Sequence, residues 1–392
     1  MKADRTIIAV IAIVLSVALP QGAEAGTKTF DGGGSGGGTT LDLAANWLPD
    51  GIPVTTDEVL LDNTSIILPA GLTTANAATF GDMIINSSTL TTISLTGAAS
   101  RNITLSGGGG STAAAAAGGA VNDLLLLGGS VNSGTVTIGG GSDAGRLNIA
   151  LGINGNIDVV NSGATLVISG VISGAFSCTK TGTGTLSLSG ANTYTGTTTI
   201  NAGTLVMSAG SLASTNITLA SGVTFDVSAL ASGFTVVSGR TLACSSTTGA
   251  AAVIATGKTL TLASGALATF RANGTGGSVG KISVSGDLAL SANAISVNIT
   301  GSSLASGIYR LMECTGTLSN NGVFGAPVIA GTPLETGYVA TILCTTGSCG
   351  HVDLVIAYSR FWGGGYDGYD RKAVTNLLLP AYLDAGTMFY IH

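Results

Sequence analysis

Residues Val171 to Val206 read VISGAFSCTKTGTGTLSLSGANTYTGTTTINAGTLV. Split at its glycines, this stretch becomes three short strands: Thr185–Leu188, Thr197–Ile200 and Thr204–Val206. In each, apolar or β-branched residues alternate with small polar ones, the two-residue period of a half-buried strand. Between them stand Thr181-Gly182-Thr183-Gly184, Ser189-Gly190-Ala191-Asn192 and Asn201-Ala202-Gly203. Glycine and asparagine accept positive φ, so these spacers are expected to be corners where the chain turns sharply. Strands this short cannot stand alone. The unit needs like neighbours on both sides and reads as one rung of a stack.

The run from Lys180 to Val206, KTGTGTLSLSGANTYTGTTTINAGTLV, resembles the passenger-associated repeat, also called the autotransporter-associated β-strand repeat. The resemblance covers roughly thirty residues. It implies an all-β chain, a single-stranded right-handed parallel β-helix, in a secreted protein of the kind carried on bacterial surfaces. It brings no catalytic residue. The positions that carry it, Gly182, Gly184, Gly190, Asn192, Tyr194, Gly196 and Gly203, are expected to serve the architecture.

Composition fits a glycine-punctuated solenoid. Of 392 residues, 45% are hydrophobic, 9% are charged and 61 are glycine, against about 25% charged and about 7% glycine in ordinary domains. A mean hydropathy of +0.53 argues against disorder, which goes with few apolar residues and high net charge. A formal charge of −6 and a pI near 4.7 supply no basic surface, so nucleic acid is not an expected partner. At the N-terminus, Lys2 and Arg5, the apolar run Ile7 to Leu19 and Ala23-Glu24-Ala25 read as a signal peptide over residues 1–25 with an A-x-A cleavage site. The competing reading is a membrane anchor, but the run is shorter than the roughly 20 residues a span needs. The mature chain is therefore expected to be exported without a membrane span, secreted or at the bacterial cell surface or outer membrane. Cys178, Cys244, Cys314, Cys344 and Cys349 are an odd number for such a protein. Cys344 and Cys349 bracket Thr-Thr-Gly-Ser and could close a local disulfide; the pairing of the other three stays open. Cys178 and Cys244 read best as small apolar fillers of the solenoid interior.

Residues 26–62 read as an N-terminal cap. Asn46-Trp47, Pro53 and Asp57-Glu58 resemble the entry segment of such solenoids, although Phe30 stands where the family usually has tryptophan. An open solenoid end exposes apolar core and strand edges. Trp47 is large enough to cover that end, and Pro53 belongs to the same cap. A sugar-stacking role for Trp47 is the weaker reading, since no second aromatic accompanies it. Residues 63–358 are expected to form the β-helix, with strands at Ser65–Leu68, Met83–Ile85, Thr89–Leu95, Ile103–Leu105, Leu124–Leu127, Val136–Ile138, Leu147–Ala150 and Ile157–Val160. Ser106 to Ala120, SGGGGSTAAAAAGGA, reads as a loop leaving the solenoid. Downstream, Lys281 to Leu318 resembles the terminal portion of passengers, and strands at Ala340–Leu343 and Val352–Ala357 are expected to finish the coil. Rungs of roughly 20 to 25 residues would number about 12 to 15 and make a rod about 60 to 70 Å long. Residues 359–392 change to aromatic and charged composition and read as a C-terminal cap or an attachment tail. Gly363 to Asp370 does not fit the calcium nonapeptide. A translocating barrel needs many strands of about ten residues, which this tail cannot supply. The chain is thus either passenger-like and exported by another route, or a fragment.

Chemistry is sparse. Between Thr181 and Phe225 there is no Asp, Glu, Lys, Arg or His. Asp226, Arg240, Lys258, Arg271, Lys281 and Asp287 follow singly and read as solvated corners. Asp57, Glu58 and Asp62 are the one dense acidic cluster, read as a solvated edge that discourages end-to-end stacking. With His351 and His392 as the only histidines, no Ser-His-Asp constellation and no zinc pattern is available. No catalytic residue, cofactor or metal is expected. The reading is a non-enzymatic surface or secreted rod, an adhesive stalk, spacer or scaffold whose partners are extracellular matrix, polysaccharide or cell-surface ligands. The alternative is a carbohydrate-binding or carbohydrate-active β-helix of the lyase or hydrolase kind, which requires clustered carboxylates. The sequence leaves oligomeric state open.

Overall fold

A computed structural model describes residues 26–31, 41, 44–50, 52–62, 71–74, 77–95, 100–107, 117–119, 123–139 and 146–359. The expected signal peptide, the strand at Ser65–Leu68, the Gly363–Asp370 stretch and the tail from residue 360 lie outside the described residues. Within them the chain is a parallel β-helix, with one three-residue 3-10 turn at Ala44–Asn46 and no longer helix.

The alternation in each strand becomes an inside and an outside. In Thr185–Leu188, Leu186 and Leu188 are buried while Thr185 and Ser187 are half-buried. Stacking then lines up the inside positions of successive windings. One interior column runs Val136, Leu166, Leu186, Leu205, Phe225, Ile254, Val284, Cys314. A second runs Ile157, Lys180, Ile200, Leu219, Cys244, Phe270, Val297, Ile329. Each fully buried aliphatic side chain contributes about 1.5–3 kcal/mol, so the columns are the main stabilising feature. Cys178 and Cys244 are both buried in the interior.

Three sheets of parallel strands form the walls, with a short fourth pair at Ala191–Asn192 and Ser211–Leu212. Among the described residues the first sheet holds twelve parallel strands, from Thr27–Phe30 to Val328–Gly331, which span about 50–55 Å at the usual strand spacing. The spacing of windings is less even than the sequence implies. Thr165, Thr185, Thr204 and Thr224 are stacked partners 19 or 20 residues apart. Thr224 to Val253 takes 29, and Arg101 to Leu147 takes 46. Parallel pairing fixes where a winding must return, not how much chain it uses on the way, so the extra residues go into connections.

One of those connections returns to the rod. Ala117 packs against Ile84 and Leu126 on the outer face of the first sheet, with Leu60 and Val160 beside it. Gly129 donates its N–H to the Ala117 carbonyl at 2.7 Å. Part of Ser106–Ala120 therefore covers the sheet rather than leaving it. That cover explains Asp123–Leu127, whose five residues are all buried: both faces of this strand are inside.

The two ends differ from the coil. Trp47–Leu48 pairs antiparallel with Thr27–Phe30. At the far end, Tyr338–Thr345 and His351–Tyr358 do not add parallel windings. They form an antiparallel hairpin, and His351–Tyr358 also pairs antiparallel with Gly307–Cys314. The connection between the two strands is too short for a parallel crossover, which needs a dozen or more residues.

Candidate functional site

Three places gather the residues that the sequence singles out: the corners of the repeat, the N-terminal end and the C-terminal end. At the repeat, the glycines do two different things. Gly182 has φ +70°, and a Cβ there would lie 2.1 Å from the Val159 carbonyl oxygen and 2.2 Å from Asp158 Oδ1. Gly203 is also at positive φ, whereas Gly184, Gly190 and Gly196 are not. Positive φ is thus used at only some of these spacer glycines. A Cβ on Gly190 would meet the Gly170 carbonyl oxygen at 2.1 Å, and one on Gly196 would meet Phe176 backbone at 2.3 Å. These glycines are needed because the winding below passes too close for any side chain.

Asn192 is likewise no left-handed corner. Its side chain is buried and joins three windings: Oδ1 accepts from Ile172 N–H at 2.9 Å, and Nδ2 donates to the Gly190 and Ser211 carbonyls at 3.0 and 3.3 Å. Tyr194 is wholly buried, with its hydroxyl 2.6 Å from Thr198 Oγ1; burial raises its pKa well above the ordinary phenol value. Lys180 occupies an apolar column and is 1% exposed. Its ammonium donates to the carbonyls of Thr181, Gly182 and Ala202 at 2.5, 2.8 and 3.4 Å. Two outward columns are hydroxyls: Thr179 stacks on Thr199 and Thr218, and Thr165 on Thr185, Thr204 and Thr224. The next outward column is mixed, with Val167, Ser187, Val206 and Asp226 in register. The threonine columns themselves are neutral, and the charged groups Lys180 and Asp158 close by are buried.

At the N-terminal end Trp47 is fully buried. Its indole N–H donates to the Leu41 carbonyl at 2.8 Å, and its ring meets Phe30 edge-on at 5.2 Å and Phe80 at 6.5 Å. No ring face is left for a sugar. Pro53, six residues on in the same segment, is also buried. The solvated-edge reading of the acidic cluster is corrected: Asp57 and Glu58 are 4% and 2% exposed. Asp57 accepts N–H bonds from Gly26 and Val54 at 3.4 and 2.9 Å, and Glu58 accepts from the Thr27 hydroxyl at 3.3 Å. Two carboxylates tie the first strand to the turn ahead of it, so their role is internal. The side chain of Asp62 lies outside the description.

The C-terminal end holds a charge cluster that the sequence conceals. Arg310 Nε pairs with Asp353 at 2.5 Å and its Nη1 with Glu313 at 3.4 Å; Lys281 pairs with Glu313 at 2.9 Å, and His351 Nε2 lies 3.4 Å from Asp353. These residues come from three separate strands, Lys281–Leu290, Gly307–Cys314 and His351–Tyr358, and only strand register brings them together. Beside them is a cavity of about 320 Å³ lined by Ser283, Arg310, Glu313, Cys314, Thr315 and Cys349, among others. Burial would raise the Glu313 pKa, but hydrogen bonds from Ser283 and Lys281 and the charges of Lys281 and Arg310 outweigh it and hold the group below its usual value. Glu313 is thus engaged by Lys281 and Arg310, and Asp353 by Arg310 and His351. Neither is placed to act as a general acid.

The structure draws no bond between any two of the five cysteines, and it sets Cys344 and Cys349 in different surroundings. Cys344 stands opposite Val352 inside the hairpin, where burial, then the charge of Asp353, pushes its thiol up to about 11. Cys349 sits in the turn, exposed, with its Sγ 3.8 Å from the Thr315 carbonyl. The two thiols therefore look to different strands. Among the described residues no three His, Cys, Asp or Glu are gathered as metal ligands, and no helix is long and apolar enough to cross a membrane.

Comparison with known proteins places the repeat. Residues 179–207 match the Passenger-associated-transport-repeat, so the chain carries a passenger-type repeat at the stack of windings just described. An adhesin, the BmaC autotransporter of Brucella suis biovar 1 (strain 1330), is 46% identical over 81 residues, which is 20% of this chain. The matched stretch spans 2% of that adhesin's length. No solved structure matches the chain.

Proposed function

We propose that this chain is a non-enzymatic, exported rod of the autotransporter-passenger type, acting outside the cell as an adhesive stalk, spacer or scaffold. The observation that carries the reading is the construction of the repeat. Its interior columns are continuous, two of its outer columns are stacked threonines, and no Asp, Glu, Lys, Arg or His falls between Thr181 and Phe225. A surface of that kind supports contact with neutral, hydroxyl-rich or peptide-backbone partners, such as polysaccharide, extracellular matrix or cell-surface ligands. The passenger-type repeat and the likeness to an adhesin support the same location and role. Against an enzyme stands the occupation of Glu313 and Asp353 by Arg310, Lys281 and His351.

The test is direct. Cells bearing an epitope-tagged chain are treated with protease while intact, and a deletion strain is scored for attachment to matrix- or polysaccharide-coated surfaces. Surface cleavage together with loss of attachment is expected. Recovery of an uncleaved chain from the cytosol, or release of reducing ends from a polysaccharide by the purified protein, would overturn the reading.

A further inference from the structure

Five thiols in an exported chain leave the pairing question open, and the C-terminal end answers it in an unexpected way. Cys314 ends an interior column on the last parallel winding, and Cys349 stands in the turn that leads into the closing strand His351–Tyr358. The chains carrying them are already hydrogen-bonded to each other. Cys314 N–H donates to the Gly350 carbonyl at 3.1 Å, and Cys349 N–H donates to the Gly316 carbonyl at 2.8 Å. The thiols face the same junction. Cys314 Sγ is 3.5 Å from both the Gly316 and the Gly350 carbonyl oxygens, and Cys349 Sγ is 3.8 Å from that of Thr315. Each cysteine therefore touches the backbone next to the other, and the Gly316 oxygen lies between them. Adjacent antiparallel chains run about 4.5–5.5 Å apart, which puts a residue and the neighbour of its partner within the about 4.4–6.8 Å Cα separation that a disulfide spans. Both residues also line the cavity beside the charge cluster, so there is room for Sγ of Cys349 to swing inward.

A second observation is conformational. Cys349 has φ +53°, one of two non-glycine residues in the left-handed region among the described residues. Glycine fits that region without cost, and Gly347 and Gly350 stand close by in the same turn. A side chain held there against its preference is an outlier that calls for a role.

We propose that Cys314 and Cys349 are joined by a disulfide that staples the closing antiparallel strands to the last parallel winding. In the cell this rests on the export proposed above, because an oxidising compartment must supply the oxidant. The chemistry needs a disulfide-bearing oxidant of the thiol–disulfide oxidoreductase class. The exposed Cys349 thiolate attacks one oxidant sulfur, forming a mixed disulfide and releasing the other sulfur as thiolate. Cys314 then gives up its proton to that thiolate and attacks Cys349 Sγ, so that the oxidant leaves as a dithiol. Two thiols and one disulfide become one disulfide and two thiols, and two electrons pass from the chain to the oxidant. Burial raises the Cys314 pKa, which lowers its thiolate fraction for the second step. Cys344, facing Val352, and Cys178 and Cys244, in the interior, stay reduced.

Two arms test this and keep it separate from the export reading. In the first, purified full-length chain is incubated with oxidised glutathione, alkylated under denaturing conditions and mapped by mass spectrometry with and without reduction. The expected result is a reducible Cys314–Cys349 peptide pair, with Cys178, Cys244 and Cys344 alkylated. A Cys344–Cys349 pair, glutathione left on Cys349, or alkylation of both Cys314 and Cys349 overturns the proposal, whatever the protein's location. In the second, thermal unfolding of the oxidised chain is followed with and without reductant. A fall of a few degrees on reduction is expected, retained in Cys344→Ser and abolished in Cys349→Ser; an equal fall in Cys349→Ser overturns the proposal.

Discussion

At the scale of single residues, the same dihedral angle has different consequences depending on what lies next to it. Gly182 and Gly222 share φ +70°, but a Cβ at Gly222 would meet nothing within 4 Å, while one at Gly182 would collide with the winding below. Gly222→Ala should therefore cost about 1–2 kcal/mol, the price of the left-handed conformation alone. Gly182→Ala should cost about 2–5 kcal/mol, since overpacking adds about 1–3 kcal/mol to that strain. Urea midpoints of the two variants measure the difference, and equal losses would mean the adjoining winding yields freely. The buried ionisable groups give a second prediction. Burial, followed by the charge of Asp123, raises the Asp158 carboxyl to about 6. Its contribution to stability is present below the unfolded value of about 4 and is lost as pH rises through about 6. Burial lowers Lys180 to about 8, opposed by the charge of Asp158. Its contribution is present above the unfolded value of about 10.4 and is lost as pH falls through about 8. Stability should fall between roughly pH 4 and 6 and rise between roughly pH 8 and 10. Asp158→Asn should flatten the acidic limb and Lys180→Met the alkaline one; a wild-type profile flat over both windows would contradict the placement of these groups.

At the scale of elements, the solenoid behaves as a row of neighbours, so damage at one end should stay there. Trp47→Ala removes the side chain that packs on Phe30 and Phe80, a loss of about 3–5 kcal/mol for a buried tryptophan. Hydrogen exchange should quicken in Thr27–Phe30, Glu58–Asp62 and Asp82–Asn86, with Cys178–Thr181 and Thr198–Ile200 unchanged. Uniform acceleration along the chain would show instead that the rod unfolds as one unit. The elements also divide into those that the sequence makes plain and those it hides. Thr185–Leu188 and Thr204–Met207 are legible because a two-residue period between glycines needs no distant information. The direction of the closing hairpin is not legible, since Val352–Ala357 looks like any other apolar strand and only the short turn before it forbids a parallel return. Asp57 and Glu58 mislead for a similar reason. Charge predicts solvent, and nothing local announces the Gly26, Thr27 and Val54 donors that receive them. The charge cluster of Lys281, Arg310, Glu313, His351 and Asp353 has no signature in the sequence, because it is a product of register between segments up to 72 residues apart in numbering, from Lys281 to Asp353.

At the scale of the whole molecule, the salt bridges among the described residues are gathered at the C-terminal end. The described middle of the rod offers stacked threonines on its outer columns, and its charged groups Asp123, Asp158 and Lys180 are buried. This partition bears on how a stalk or adhesive surface would engage a partner. Attraction between exposed charges is screened over about 10 Å at 0.1 M salt and about 3 Å at 1 M, so a contact that depends on charge weakens steeply across that range. A contact made by hydroxyl ladders and backbone loses no counterions and meets no such screening. If the repeat walls carry attachment, binding of the purified chain to a polysaccharide- or matrix-coated surface should change by less than about twofold between 0.1 and 1 M sodium chloride. It should fall when outward threonines are replaced: Thr185→Lys and Thr204→Lys put like charges directly above one another in register, which disrupts the ladder and repels neighbouring strands. A tenfold loss of binding in high salt, with the threonine variants unaffected, would move the contact to the charged C-terminal end. The adhesive surface would then be the cavity beside Arg310 and Glu313, with the repeat acting as a spacer that holds it away from the cell.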